Sequence, residues 1–192
     1  MQHRTNESGF TLIETLVAIT VLVIAVVAPM SLVAQSLTVS YYVRDEVTAS
    51  YLAQEAIETI RNIRDSRVDQ DLLSGTNGDP FRDLDGGTGG TVFTNNKPFR
   101  VDAHIIGSDY ADALLSCSST CPPVQTDGTF YGYGTGWANT RFTRTVTAHY
   151  IDPGPNTDLL ITVTVTWQTG GFASRSLTLT ENLYSWAEIS TP

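Results

Sequence analysis

Between Glu14 and Arg44 lie 29 consecutive residues without a charged side chain, and Leu16 to Ala34 within them is apolar except for Thr20, Pro29 and Ser31. At 1.5 Å per residue, roughly 20 helical residues cross a ~30 Å hydrocarbon layer, so this stretch is long enough to span one. An ordinary signal peptide has a shorter apolar core, of about 7–15 residues, followed by a small-residue cleavage site. Here the run is longer, and Gln35 to Tyr42 reads as continued helix. The cations that flank it are Arg4, with His3, on the N-terminal side and Arg44 on the other. The positive-inside rule therefore favours a single pass through the cytoplasmic membrane, N-terminus in and C-terminal part out.

What remains must fold outside the lipid. The chain has 192 residues and a mass of 20.9 kDa, enough for one domain plus an appendage. Three Trp, eight Tyr and seven Phe supply a core and argue against disorder. Twenty acidic against eleven basic residues give a formal charge of −9, and Lys97 is the only lysine. Such a surface repels a phosphate backbone, so no direct nucleic-acid partner is expected.

Downstream of the apolar run, Ala49, Leu52, Ala53, Ala56, Ile57, Ile60 and Ile63 recur at spacings of three and four. One stripe of an amphipathic helix over 36–70 can then pack on a sheet, with Glu55, Glu58, Arg61, Arg64 and Arg67 facing outward or sideways. Residues 71–98 are rich in Gly and Pro and read as a connecting loop. From 99 to 192 the pattern alternates with period two, over Phe99 to Ile106, Phe142 to Tyr150, Leu159 to Trp167 and Ser176 to Leu183, with Thr opposite the apolar positions in the middle two. Asp152-Pro-Gly-Pro-Asn156 is a turn signal between two of these strands. The predicted class is α+β: a long N-terminal helix packed on a C-terminal antiparallel sheet.

The residues ahead of the apolar run are the most specific in the chain. Gly9-Phe10-Thr11-Leu12-Ile13-Glu14-Thr15-Leu16-Val17-Ala18 resembles the type IV prepilin family, in which a polar leader ends in glycine and is followed by phenylalanine and, four residues later, by a glutamate inside an apolar helix. The resemblance implies that a prepilin peptidase removes residues 1–9 by cutting between Gly9 and Phe10, and that the new α-amine on Phe10 is methylated. Removing the leader takes away Arg4 and Glu7, so the charge stays at −9. Residues 10–35 would then form a transmembrane helix that enters a filament core. A carboxylate among apolar residues is costly unless paired, and the Phe10 amine of a neighbouring subunit could pair with Glu14 and set the stagger between helices. Family members also carry a helix-breaking proline in this segment, which makes Pro29 either a simple kink or a point of local melting during assembly.

Tyr51 to Asp65 is similar to a run found in PilV-type minor pilins. The family resemblance implies other pilin or pseudopilin subunits, a prepilin peptidase, an inner-membrane assembly platform and membrane lipid as partners. It leaves open a minor pilus subunit, a pseudopilin of a type II secretion or DNA-uptake system, and a membrane-anchored surface or adhesion module that does not polymerise.

Three further groups of residues merit weighing. Cys117 and Cys121, with three residues between them on an extracytoplasmic segment, suit a small disulfide loop, whereas metal binding would need ligands the sequence does not place. Asp79, Asp83 and Asp85 form a weak calcium candidate: Asp83-x-Asp85-Gly86 matches part of a calcium loop, but the third Asp/Asn and the closing Glu are missing, so a solvated acidic turn is the preferred reading. Some secretion-system relatives bind calcium in a C-terminal loop. Tyr131, Tyr133 and Trp137, in a glycine-rich stretch, suit either a ligand-binding surface or packing. His3, His104 and His149 are scattered and no nucleophile elbow, zinc-protease or phosphate-loop motif occurs, so no catalysis and no cofactor are expected.

Overall fold

The structure is a computed structural model that describes residues 9, 11–75, 81, 97–105, 113–151, 158–170 and 173–184. It divides into two compact units, Met1–Val43 and Arg44–Pro192. A single helix, α1, runs from Leu12 to Ser74 and contributes to both.

Within the first unit none of the described residues is buried. The most apolar stretch of α1 has a mean hydropathy of 2.8, long and apolar enough to cross a membrane. Its hydroxyls bond to the helix itself: Thr15 Oγ1 donates to Leu12 O, Thr20 Oγ1 to Val17 O and Ser31 Oγ to Ala28 O, all within 2.9 Å. These polar groups are thereby satisfied without water. Pro29 lies inside the helix and leaves the carbonyl four residues earlier without its usual donor, yet α1 continues through it. At the far end Ser74 is followed by Gly75 with φ +66°, a left-handed conformation that glycine adopts cheaply and that terminates helices.

The second unit contains two sheets, and α1 shares its core with the larger. The strands are β1 (Phe99–Val101), β2 (Leu114–Ser116), β3 (Gln125–Thr126), β4 (Tyr131–Gly132), β5 (Ala138–Asn139), β6 (Phe142–Tyr150), β7 (Leu159–Trp167) and β8 (Arg175–Leu183). Five form an antiparallel sheet in the order β2-β1-β6-β7-β8, and three form a second in the order β4-β3-β5. The long strands β6, β7 and β8 are a meander, as period-two patterning with short links predicts. Phe142, Val146 and Ala148 of β6 and Leu159, Ile161, Val163, Val165 and Trp167 of β7 are buried against the stripe of α1. All seven apolar stripe positions from Ala49 to Ile63 are buried. Fully burying an aliphatic side chain is worth about 1.5–3 kcal/mol, so this shared core holds helix and sheet together.

The other face of the meander is lined with hydroxyls in register. Thr143 faces Thr166 and Thr166 faces Ser176; Thr145, Thr164 and Thr178 form the next row, and Thr147, Thr162 and Thr180 the third. Thr164 and Thr178 are joined by an Oγ1–Oγ1 hydrogen bond of 3.2 Å. Threonine suits this face because its branched Cβ favours strands while its hydroxyl tolerates water.

One inward position of β6 is not apolar. Arg144 has no exposure to solvent. Its Nη1 donates to Leu52 O of α1 at 2.7 Å and to Glu55 Oε2 at 2.6 Å, and its Nη2 donates to Val101 O of β1 at 2.6 Å. A second polar tie stands at the start of the unit, where buried Asp45 accepts from Arg141 Nη1 at 3.0 Å and Thr169 Oγ1 at 2.7 Å. Together these bonds tie α1 to the loops and strands around it.

Two sequence expectations need correction. The first predicted strand, Phe99 to Ile106, ends at Val101, because the Asp102 carboxylate accepts the His104 N–H at 3.1 Å and turns the chain. Arg64, expected on an outward or sideways face, is 9 % exposed: it donates through Nη1 to Tyr184 O and through Nε to Asp65 Oδ1. Both differences come from long-range or side-chain bonds that periodicity does not encode.

Truncating Arg144 to Ala orphans two buried carbonyls and leaves the partly exposed Glu55 unpaired, so unfolding in detergent micelles should show a loss of about 1–3 kcal/mol for each orphaned carbonyl. Arg144→Met fills the space but leaves the same acceptors unpaired, so it should recover only the packing part of that loss. An alkaline limb follows from Tyr133, whose pKa burial raises above its ordinary value of 10.0, against the pull of Arg144 and Arg100. The folded state then holds this proton more tightly than the unfolded chain, so the contribution is whole below pH 10 and lost as pH rises through the higher folded value. Tyr133→Phe should flatten the fall in melting temperature above about pH 10.

Candidate assembly site at the start of the helix

Thr11 precedes the first helical residue, Leu12, and caps it. The Glu14 amide donates to Thr11 O at 3.1 Å and to Thr11 Oγ1 at 3.3 Å, and the Thr15 amide donates to Thr11 O at 3.2 Å. A threonine at the cap with a glutamate three residues on is the capping-box pattern, and a carboxylate in the first turn is also favoured by the helix dipole. The polar start of α1 is thus built from Thr11 and Glu14, one residue type supplying an acceptor and the other a negative charge. Around them Leu12 and Ile13 are 83 % and 70 % exposed.

Among the described residues no cation forms a salt bridge with Glu14, and the next charge along the chain is Arg44. Beside it Gly9 is exposed with nothing near where a Cβ would stand, and Phe10 lies outside the described residues. The arrangement is therefore an exposed apolar helix with a single negative charge in its first turn. Thr11 is the residue that the sequence reading passed over; the signal was the Thr-x-x-Glu spacing immediately before an apolar run.

The remaining candidates lie in the second unit or outside the described residues. Cys117 and Cys121 are bonded, with an S–S distance of 2.08 Å, at the end of β2. Asp79, Asp83 and Asp85 lie outside the described residues. Tyr133 is half-buried against the core beneath the Arg100 guanidinium, 4.7 Å from its ring centroid. Trp137 lies across Gly132 and Gly134, where any side chain would collide with its indole or with the Asp102 carboxylate. This explains the glycines of Tyr131-Gly-Tyr-Gly134 as packing. His104 sits beside both Phe130 and Trp137, with ring centroids 5.3 and 5.6 Å away. The amides of Phe130 and Thr129 hold the Asp127 carboxyl below the usual carboxylate range in the β3–β4 turn.

Along the outward side of α1, Arg61 is paired with Glu58 and with Glu181 of β8, and the bond to Glu181 is the chief cause of its raised pKa. Sequence spacing finds the first pair, three residues apart, and not the second, which needs the sheet in place.

No curated protein and no solved structure matches the chain. Residues 4–28 match the family model described as the prokaryotic N-terminal methylation motif, a segment that includes Gly9, Phe10, Glu14 and the first part of the apolar helix. At its N-terminus the chain is type IV prepilin-like.

Proposed function

We propose that this chain is a structural, minor pilin-like subunit of a type IV pilus, cut by a prepilin peptidase between Gly9 and Phe10, methylated on Phe10 and assembled through its N-terminal helix. Before assembly it is held in the cytoplasmic membrane with the sheet-bearing unit outside. The observation that carries this reading is the methylation motif placed on an apolar helix whose one charge, Glu14, has no partner among the described residues. The α-amine of a processed Phe10 on a neighbouring subunit has the opposite sign. Pairing them replaces a costly lone carboxylate with an ion pair, and it does so only at one axial stagger. The partners are other pilin subunits, the peptidase and an inner-membrane assembly platform. The Tyr51–Asp65 run, similar to PilV-type minor pilins, supports a pilus over a secretion or DNA-uptake pseudopilus.

Intact mass and N-terminal sequencing of protein from a membrane containing the peptidase should give a start at Phe10 with one added methyl. A start at Met1 despite an active peptidase means a plain anchor and ends the reading. Glu14→Ala should insert and be processed but be depleted from filaments at least about tenfold, equivalent to ~1.4 kcal/mol; normal incorporation would refute the role given to Glu14. A thiol assay on the unreduced protein should find no free cysteine.

A further inference from the structure

On the unit Arg44–Pro192, helix α1 and strand β4 border an open groove of about 480 Å³, a volume within the range of small-ligand sites. Its walls carry two phenol rings, Tyr51 and Tyr131, with Gln54, Glu55 and Glu58 beside them. Tyr51 is 68 % exposed. A tyrosine pair left open to water offers flat apolar surface with a hydrogen-bonding rim, the combination that recognition surfaces favour.

The charges decide what such a surface can take. Glu55 and Glu58 are the titratable carboxylates of the groove, and both are already neutralised: Arg144 Nη1 bonds Glu55 Oε2, and Arg61 Nη1 bonds Glu58 Oε1. Their other oxygens accept no hydrogen bond among the described residues. Arg144 is itself fixed by two main-chain carbonyls, and Arg61 by Glu181. The groove therefore presents held acceptors with little net charge, next to aromatic faces. A cation would compete with two arginines already in place. An anion would face two carboxylates with only neutral donors, the phenol hydroxyls and the Gln54 amide, to hold it, and a purely apolar ligand would strip the carboxylate oxygens of water without replacing it. A ligand with an apolar face and neutral hydroxyl donors on its edge meets every requirement, and Gln54 can both donate and accept.

We propose that this groove binds a neutral saccharide, with a sugar ring stacked on Tyr51 or Tyr131 and its hydroxyls donating to Glu55, Glu58 and the Gln54 amide. The site belongs to this unit alone and does not rest on filament assembly. Because Glu55 is held from within the core by Arg144, the acceptors are oriented before the ligand arrives, which lowers the cost of ordering them.

The test is saturation-transfer NMR on the full chain in a detergent without a sugar headgroup, titrated with lactose, cellobiose and N,N′-diacetylchitobiose. At least one should bind with a Kd of about 1–10 mM, and Tyr51→Ala and Tyr131→Ala should each weaken it at least about tenfold, while Tyr51→Phe retains it. Melting temperatures check that the variants fold; should Tyr131→Ala fail to do so, Tyr51→Ala and Gln54→Ala carry the comparison. The proposal is overturned by no transfer from any of the three sugars up to about 50 mM, several times the expected Kd. Binding unaffected by Tyr51→Ala also overturns it. So does argininamide binding more tightly than every sugar, which would make the groove a cation site.

Discussion

A guanidinium shut away from water is the tie on which the folded unit depends. Arg144 arises from a strand whose first seven residues otherwise alternate apolar and threonine, and its two Nη groups donate to a carbonyl of the helix, a carboxylate of the helix and a carbonyl of the neighbouring strand. Apolar contact alone would let a helix slide along a sheet, since one methyl packs much as another does. Directed bonds to Leu52 and Val101 fix one alignment. The same residue holds Glu55 from behind, so a structural bond on the inside sets the geometry of a surface on the outside.

The second constraint is that a single helix serves two surroundings. Up to Val43 it carries no charge after Glu14 and buries none of its described side chains, whereas beyond Arg44 it buries one stripe and wears charge on the rest. The boundary between the two units falls between these residues, at the first charge after the apolar run. Asp45, the next residue, is already inside, gripped by Arg141 and Thr169. The folded unit thus takes hold of the helix within one residue of the point where its chemistry changes.

How much of this was legible follows from the length over which each pattern repeats. The stripe from Ala49 to Ile63 spans four turns, and β6 and β7 alternate over nine residues each, so their periods stand out and their buried faces are those expected. Strands β2 to β5 hold two or three residues; no period fits in so few, and their places are set by partners such as Asn139 opposite Gln125. Arg64 resisted reading for a related reason, since its acceptor, Tyr184 O, lies 120 residues away. At the helix start, Glu14 was conspicuous because a charge in an apolar run is rare, while the cap that Thr11 provides hid in a residue common everywhere. The acidic triplet at Asp79, Asp83 and Asp85 showed the opposite weakness, a fragment of a motif without the spacing that would make it specific.

The inward-turned hydroxyls of the apolar helix have a mechanical consequence. Thr15, Thr20 and Ser31 spend their donors on their own backbone, so across residues 15–34 the helix has no side-chain donor left for a neighbour. In a bundle of such helices, as the proposed assembly requires, this stretch would shift past its neighbours, or out of lipid, at the cost of dispersion contacts that reform at each step. In the filament proposed above, position along the axis would be encoded by the charge in the first turn, and cohesion would come from contact elsewhere.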